Sequence, residues 1–166
     1  MARSESFDVS TGVDLQEVDN AVNQAHKEIG QRYDFKGTHC TLEFDRSGGA
    51  ILLEADDRYR LEALKGVVRE KLARRKVPLK NLDEGQIEDA SLGRARQRIG
   101  LKQGIDQETA KKISRDVRDE GFKKVQVQIQ GEELRISAPS RDTLQEVIGF
   151  LRSRDYGVEL RFGNYR

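Results

Sequence analysis

Gln126, Gln128 and Gln130 alternate with Val127 and Ile129 in the stretch KKVQVQIQGEELRISAPS, which runs from Lys123 to Ser140. In a strand this spacing puts the amides on one face and the aliphatics on the other. A turn at Gly131 and a second alternating run add Arg135 to the polar side. A flat amide donates and accepts at once, and a guanidinium offers a planar fork to phosphate or to a guanine edge. A second set of cations, Arg96, Arg98 and Lys102, alternates outward in another strand, in company with Thr41 and Glu43. These residue types suit a bound nucleotide. A strand face that merely meets solvent has the same pattern, and spacing alone leaves both readings open.

Catalytic chemistry lacks its usual residues. The chain has no P-loop and no GxGxxG, and Gly48-Gly49 is better suited to a tight hairpin than to cradling phosphate. His26 and His39 fall in different elements without a further ligand near them, so no metal site is expected. No nucleophile stands beside a base in a GxSxG or Cys-His pattern. The adjacent carboxylates Asp56 and Asp57 precede a helix and are expected to cap and charge its start. The sequence therefore predicts a binding protein with no enzymatic activity and no cofactor. The single cysteine, Cys40, excludes an internal disulfide and is expected to be a core thiol beside Leu42 and Phe44.

The net charge of +1 hides an uneven distribution. Residues 5–62 carry 13 acidic and 6 basic side chains, whereas residues 65–80 carry 7 basic and 1 acidic. Residues 94–124 carry 10 basic and 5 acidic. Such clustering marks either a face for polyanions or a solvated helix surface. The absence of an N-terminal apolar segment and of any apolar run near the roughly 18 residues of a membrane span predicts a cytoplasmic protein with no membrane partner.

Elements able to position these groups follow from hydrophobic period. Strands are expected at residues 5–11, 38–44, 50–55, 94–103, 125–130, 133–138 and 158–162. Helices are expected after Asp14, over 58–75, after Asp106 and after Ser140, each with an apolar stripe. Residues 79–92 are hard to read, with Ile87 partly buried. The pattern strand, helix, hairpin, helix, strand occurs twice, and Gly12-Val13-Asp14-Leu15-Gln16-Glu17 is echoed by Gly104-Ile105-Asp106-Gln107-Glu108. The order βαββαβ is that of the ferredoxin-like unit, in which two helices cover one face of an antiparallel sheet. The expected class is α+β, with two tandem ferredoxin-like domains.

The stretches RYDFKG (32–37), LKQG (101–104) and QIQG (128–131), within the longer segments 6–37 and 101–148, resemble the YajQ family of small bacterial proteins, and the similarity extends to the C-terminal RFGNY. The resemblance implies that the two ferredoxin-like domains are RNP-like and that they exchange their N-terminal strands. The first domain would then be 14–104, including strand 94–103, and the second would be 1–13 plus 105–166. It also implies a nucleotide ligand: RNA, or a guanine nucleotide such as GTP or cyclic di-GMP, with an influence on gene expression through a partner such as a transcription regulator. The nucleotide-binding set is then Arg32, Lys36, Arg98, Lys102, Gln103, Gln126, Gln128, Gln130 and Arg135. Arg32 and Lys36 are cations of the RYDFKG stretch, whose Tyr33 and Phe35 either pack beneath the helix end or meet a base. Lys102 and Gln103 precede a helix N-terminus able to receive phosphate. RNA-recognition sheets stack bases on aromatics, yet Phe7 alternates inward here. The alternative reading is a protein-interaction module whose open sheets contact another protein.

Overall fold

A computed structural model describes residues 4–166; residues 1–3 of the expected second domain lie outside the described residues. In chain order the elements are β1 (Glu5–Ser10), α1 (Leu15–Gln31), β2 (Thr41–Asp45), β3 (Ala50–Ala55), α2 (Arg58–Arg74), β4 (Leu82–Glu84), β5 (Glu88–Asp89), β6 (Ala95–Leu101), α3 (Gln107–Glu120), β7 (Gln126–Gln130), β8 (Glu133–Ala138), α4 (Arg141–Arg152) and β9 (Arg161–Gly163). They form two antiparallel sheets with strand orders β7-β8-β1-β9 and β2-β3-β6-β4, the short β5 also pairing with β6. The chain divides into two compact units. One combines β1, up to Gly12, with Gln103–Arg166, and the other is Val13–Lys102. β1, separated in the chain from the rest of its unit, lies between β8 and β9, and β6 lies between β3 and β4.

Helix starts are set by side-chain caps. Asp14 accepts from the Gln16 amide at 2.9 Å, Asp106 from Thr109 at 2.7 Å and Ser140 from Thr143 at 3.2 Å. The expected pair at α2 divides its work. Asp57 caps the helix through the Arg60 amide at 2.8 Å, but Asp56 instead accepts from the His39 amide at 2.6 Å and stands 3.1 Å from His39 Nδ1. That diversion holds the chain at residues 38–40 off the ladder, so β2 begins at Thr41 rather than Thr38. Cys40 is accordingly half-buried, against the edge of the core rather than within it.

The core of the Val13–Lys102 unit packs Val18, Val22 and Ala25 of α1 and Leu61, Leu64, Val68 and Leu72 of α2 onto Ile51, Leu53 and Ile99. In the other unit Ile113 and Val117 of α3 and Leu144, Val147 and Leu151 of α4 cover Phe7, Val9, Leu134 and Ile136. The unread stretch 79–92 is an interrupted edge of the first sheet. Gly85 comes so close to the Arg98 carbonyl, to which its N–H donates at 2.9 Å, that only a residue without Cβ fits. Gln97 fills the interruption, its Nε2 donating to the Gly85 carbonyl at 2.7 Å. The last strand is shorter than expected, Arg161–Gly163, with Val158 buried ahead of it.

Candidate functional site

Each sheet leaves one face uncovered by helices. On the β7-β8-β1-β9 sheet, the register aligns Gln128, Arg135, Asp8 and Gly163 in one row, and Gln126, Ser137 and Ser6 in the next. All three glutamines of β7 are exposed. Arg135 is not: its Nε donates to Asp8 at 3.0 Å, with the two side chains only 25% and 14% exposed. Asn164 closes the other Asp8 oxygen at 2.6 Å. Burial pushes the Asp8 carboxyl up, but the hydrogen bonds and charge of Arg135, with Asn164, outweigh it and hold the pKa below its ordinary value. Phe7 is buried and packs edge-on against Phe162 at 5.9 Å, whereas Tyr165 is exposed.

The other open face has a different character. Cross-strand rows set Glu43 beside Leu52 and Leu52 beside Arg98, then Thr41 beside Glu54 and Glu54 beside Arg96. Leu52 is 37% exposed, an apolar side chain in the middle of a charged surface. A depression of about 480 Å³ spans these residues. Arg96 donates to Glu88 at 3.1 Å, and Arg98 donates to the Gly48 carbonyl of the β2–β3 turn at 3.0 Å. Gln97 also lines the depression, and its Oε1 is buried without a hydrogen-bond partner. Sequence reasoning placed Arg98 here but missed Leu52, because an outward leucine in an apolar strand looks like any other core residue.

The remaining expected residues lie apart from both faces. Arg32 caps the end of α1, donating to Asp34 at 2.7 Å and Glu28 at 3.2 Å, with its guanidinium 5.1 Å from the Phe35 ring. The hydrogen bonds it donates to Asp34 and then to Glu28 raise its pKa. Phe35 is buried, so it packs beneath the helix end, while Tyr33 stays exposed with Lys36 over its ring at 5.8 Å. Lys102 ends the β6 side of its unit, its N–H donating to the Asn81 carbonyl at 2.8 Å. Gln103 lies against Gly12. At the N-terminus of α3 the anion position is already acidic: Asp106 is the cap, and Glu132 packs over Gly104 so closely that a Cβ there would collide with its carboxylate.

The basic stretch at 65–80 is largely neutralised by acidic neighbours. Lys71 meets Glu28 at 2.9 Å, Arg69 meets Glu84 at 3.1 Å, Lys65 meets Glu62 at 3.0 Å and Arg75 meets Glu17 at 3.5 Å. Among the described residues no cluster of three or more His, Cys, Asp or Glu is arranged to hold a metal, and no helix is long and apolar enough to cross a membrane.

A family model described as nucleotide-binding protein YajQ-like matches residues 5–166. A protein of Chloroherpeton thalassium named nucleotide-binding protein is 45% identical over 166 residues, and proteins so named in Bacillus cereus and Bacillus anthracis are 44% identical over 166 residues. Each alignment covers 100% of both chains. The chain therefore belongs to the YajQ family.

Proposed function

We propose that this chain binds a guanine nucleotide, free or within RNA, on the open face of β2, β3 and β6. The carrying observation is the row Glu43–Leu52–Arg98, with Glu54–Arg96 beside it. An exposed leucine offers an apolar floor for a base where β3 and β6 carry no aromatic. An arginine fork suits guanine O6 and N7, or phosphate. A carboxylate is an acceptor for the donors on the opposite guanine edge and for ribose hydroxyls. The volume of about 480 Å³ lies within the roughly 300–1,000 Å³ of small-molecule sites. The names of the relatives support a nucleotide of some kind. A cyclic dinucleotide such as cyclic di-GMP, with two guanines and two phosphates, matches this donor and acceptor set, and so does a short guanine-containing RNA. Binding of such a signal would influence gene expression through a protein partner. The glutamine face is the weaker candidate, since Arg135 is held by Asp8 and Arg161 donates to the Gly12 carbonyl at 2.6 Å.

Calorimetric titration with GTP, cyclic di-GMP and a short RNA at two salt concentrations tests the reading. RNA affinity should fall steeply with salt through counterion release, and that of a dinucleotide should fall less. Saturation by none of the three removes the nucleotide reading. Saturation unaffected by Leu52→Ala and Arg98→Ala moves the ligand to another face.

A further inference from the structure

We infer that Arg98 rests in a berth at one end of the open β3–β6 face and leaves it to meet a ligand, so that the β2–β3 turn and the ligand compete for one arginine. This regulation rests on the nucleotide reading given above. Alternation along β6 puts Arg96, Arg98 and Gly100 on the open face, and pairing with β3 lays them in three successive rows. The depression is built from the Arg98 row and the Arg96 row, with Thr41, Glu43, Leu52 and Glu54. The Arg98 guanidinium points the other way. Its Nη2 donates to the Gly48 carbonyl at 3.0 Å, and its Nη1 stands 3.6 Å from the place that a Cβ on Gly100 would occupy. It therefore lies along β6 over the third row.

That row is shaped to hold a flat cation. It runs Asp45, Ala50, Gly100, Asp83 across four strands. Alanine and glycine at its centre leave a trough, and the carboxylates at its two ends attract a positive charge. Ala50 is fully buried although alternation turns it to the open face, and the guanidinium is the group that lies over its partner Gly100. Gly100 has no left-handed φ, so its backbone does not require glycine; the missing side chain makes room. Asp45 fixes the turn that supplies the acceptor, taking the Gly48 N–H at 3.0 Å and the Ser47 hydroxyl at 3.2 Å. The resting and ligand-bound positions exclude each other. Adjacent outward rows are roughly 6.6 Å apart along a strand, so a guanidinium turned toward Leu52 and Glu54 no longer reaches Gly48. Apparent affinity is then reduced by the fraction of molecules in which Arg98 is still in its berth. One hydrogen bond of about 1 kcal/mol corresponds to a roughly fivefold reduction.

Gly100→Val fills the trough with two methyl groups and should tighten binding of GTP or cyclic di-GMP to the full chain roughly fivefold in calorimetric titration. Gly100→Ala adds only a carbon at ordinary contact distance and should change affinity little. In an Arg98→Ala background Gly100→Val should have no effect. The hydrogen bond itself is read by NMR, from the carbonyl carbon of Gly48 and the amide nitrogen of Gly49. Both signals should move in the same direction on Arg98→Ala, on Gly100→Val and on saturating the wild type with ligand. The wild-type titration serves if circular dichroism shows that the valine variant fails to fold. Weaker binding by Gly100→Val overturns the inference, because the turn would then orient Arg98 for the ligand; unchanged affinity overturns it too. Saturable binding with unmoved Gly48 and Gly49 signals removes the release and leaves the nucleotide reading standing. Saturation by none of GTP, cyclic di-GMP and a short RNA removes the nucleotide reading, and the release falls with it.

Discussion

On the β7-β8-β1-β9 sheet Arg135 reaches across to Asp8 at 3.0 Å and Asn164 closes the second carboxylate oxygen, so the face satisfies its own charges. On the β2-β3-β6-β4 sheet Arg98 stands opposite Leu52 and donates a hydrogen bond to a turn carbonyl rather than to a carboxylate. The strand order of the two sheets is equivalent, and apart from Ala50 and Leu52 the outward residues of their central strands are polar or glycine. What separates them is the neighbour across the central strand: Asp8 meets Arg135 in one, whereas in the other a leucine leaves the arginine a wall of an open depression. Alternation decides which side chains face outward. Cross-strand pairing decides which of them are still available to a ligand.

The comparison can be broken most forcefully at the two exchanged strands. Phe7→Ala should cost about 3–5 kcal/mol and Ile99→Ala about 2–5 kcal/mol, since both side chains are fully buried. Hydrogen exchange should localise the damage to 126–138 for the first and to 41–55 for the second. If Phe7→Ala loosened 41–55 instead, the sheet membership of β1 would be wrong.

Binding separates the faces next. Arg98→Ala should lower nucleotide affinity by about 1–3 kcal/mol, a roughly tenfold to hundredfold change. Gln128→Ala should leave it unaltered. Equal losses in the two titrations would mean that the faces act together. Because Arg98 also holds the β2–β3 turn, Leu52→Ala provides the second reading of the same floor.

Asp8→Asn should leave Arg135 half-buried without its charge partner and destabilise by about 1–3 kcal/mol. The pH dependence has a defined sign. The folded-state pKa of Asp8 lies below its ordinary value of 3.8, so its contribution is complete above that value and is lost as pH falls through the lowered one. Wild type should therefore lose more stability than the variant when denaturant melts are compared from neutral pH down through that window; parallel curves would refute the pairing. The smallest effect is expected at Arg32, whose ion pairs are largely exposed. Arg32→Ala should change stability by about 1 kcal/mol or less, and by this account should not touch nucleotide affinity.

Legibility followed the range of each interaction. The caps at Asp14, Asp106 and Ser140, the helix stripes and the two hairpins depend on residues a few positions apart, and all three caps are made as the spacing suggested. Residues 79–92 were obscure because β4 and β5 have no period of their own; both exist by pairing with β6 around a bulge that Gly85 permits. The basic run at 65–80 looked like a polyanion face because its carboxylate partners, Glu17, Glu28 and Glu84, lie elsewhere in the chain.

By itself, then, the sequence determined two βαββαβ sets and their inward and outward residues, since periodicity and turn chemistry are local. Periodicity cannot say which sheet a strand joins. The exchange of β1 and β6 was implied only by family resemblance, and the pairing of Asp8 with Arg135, 127 residues away, was not legible at all. Tertiary structure decided these because hydrogen-bond ladders and ion pairs are fixed by what packs side by side, and chain separation leaves no trace of that in either partner's own neighbourhood.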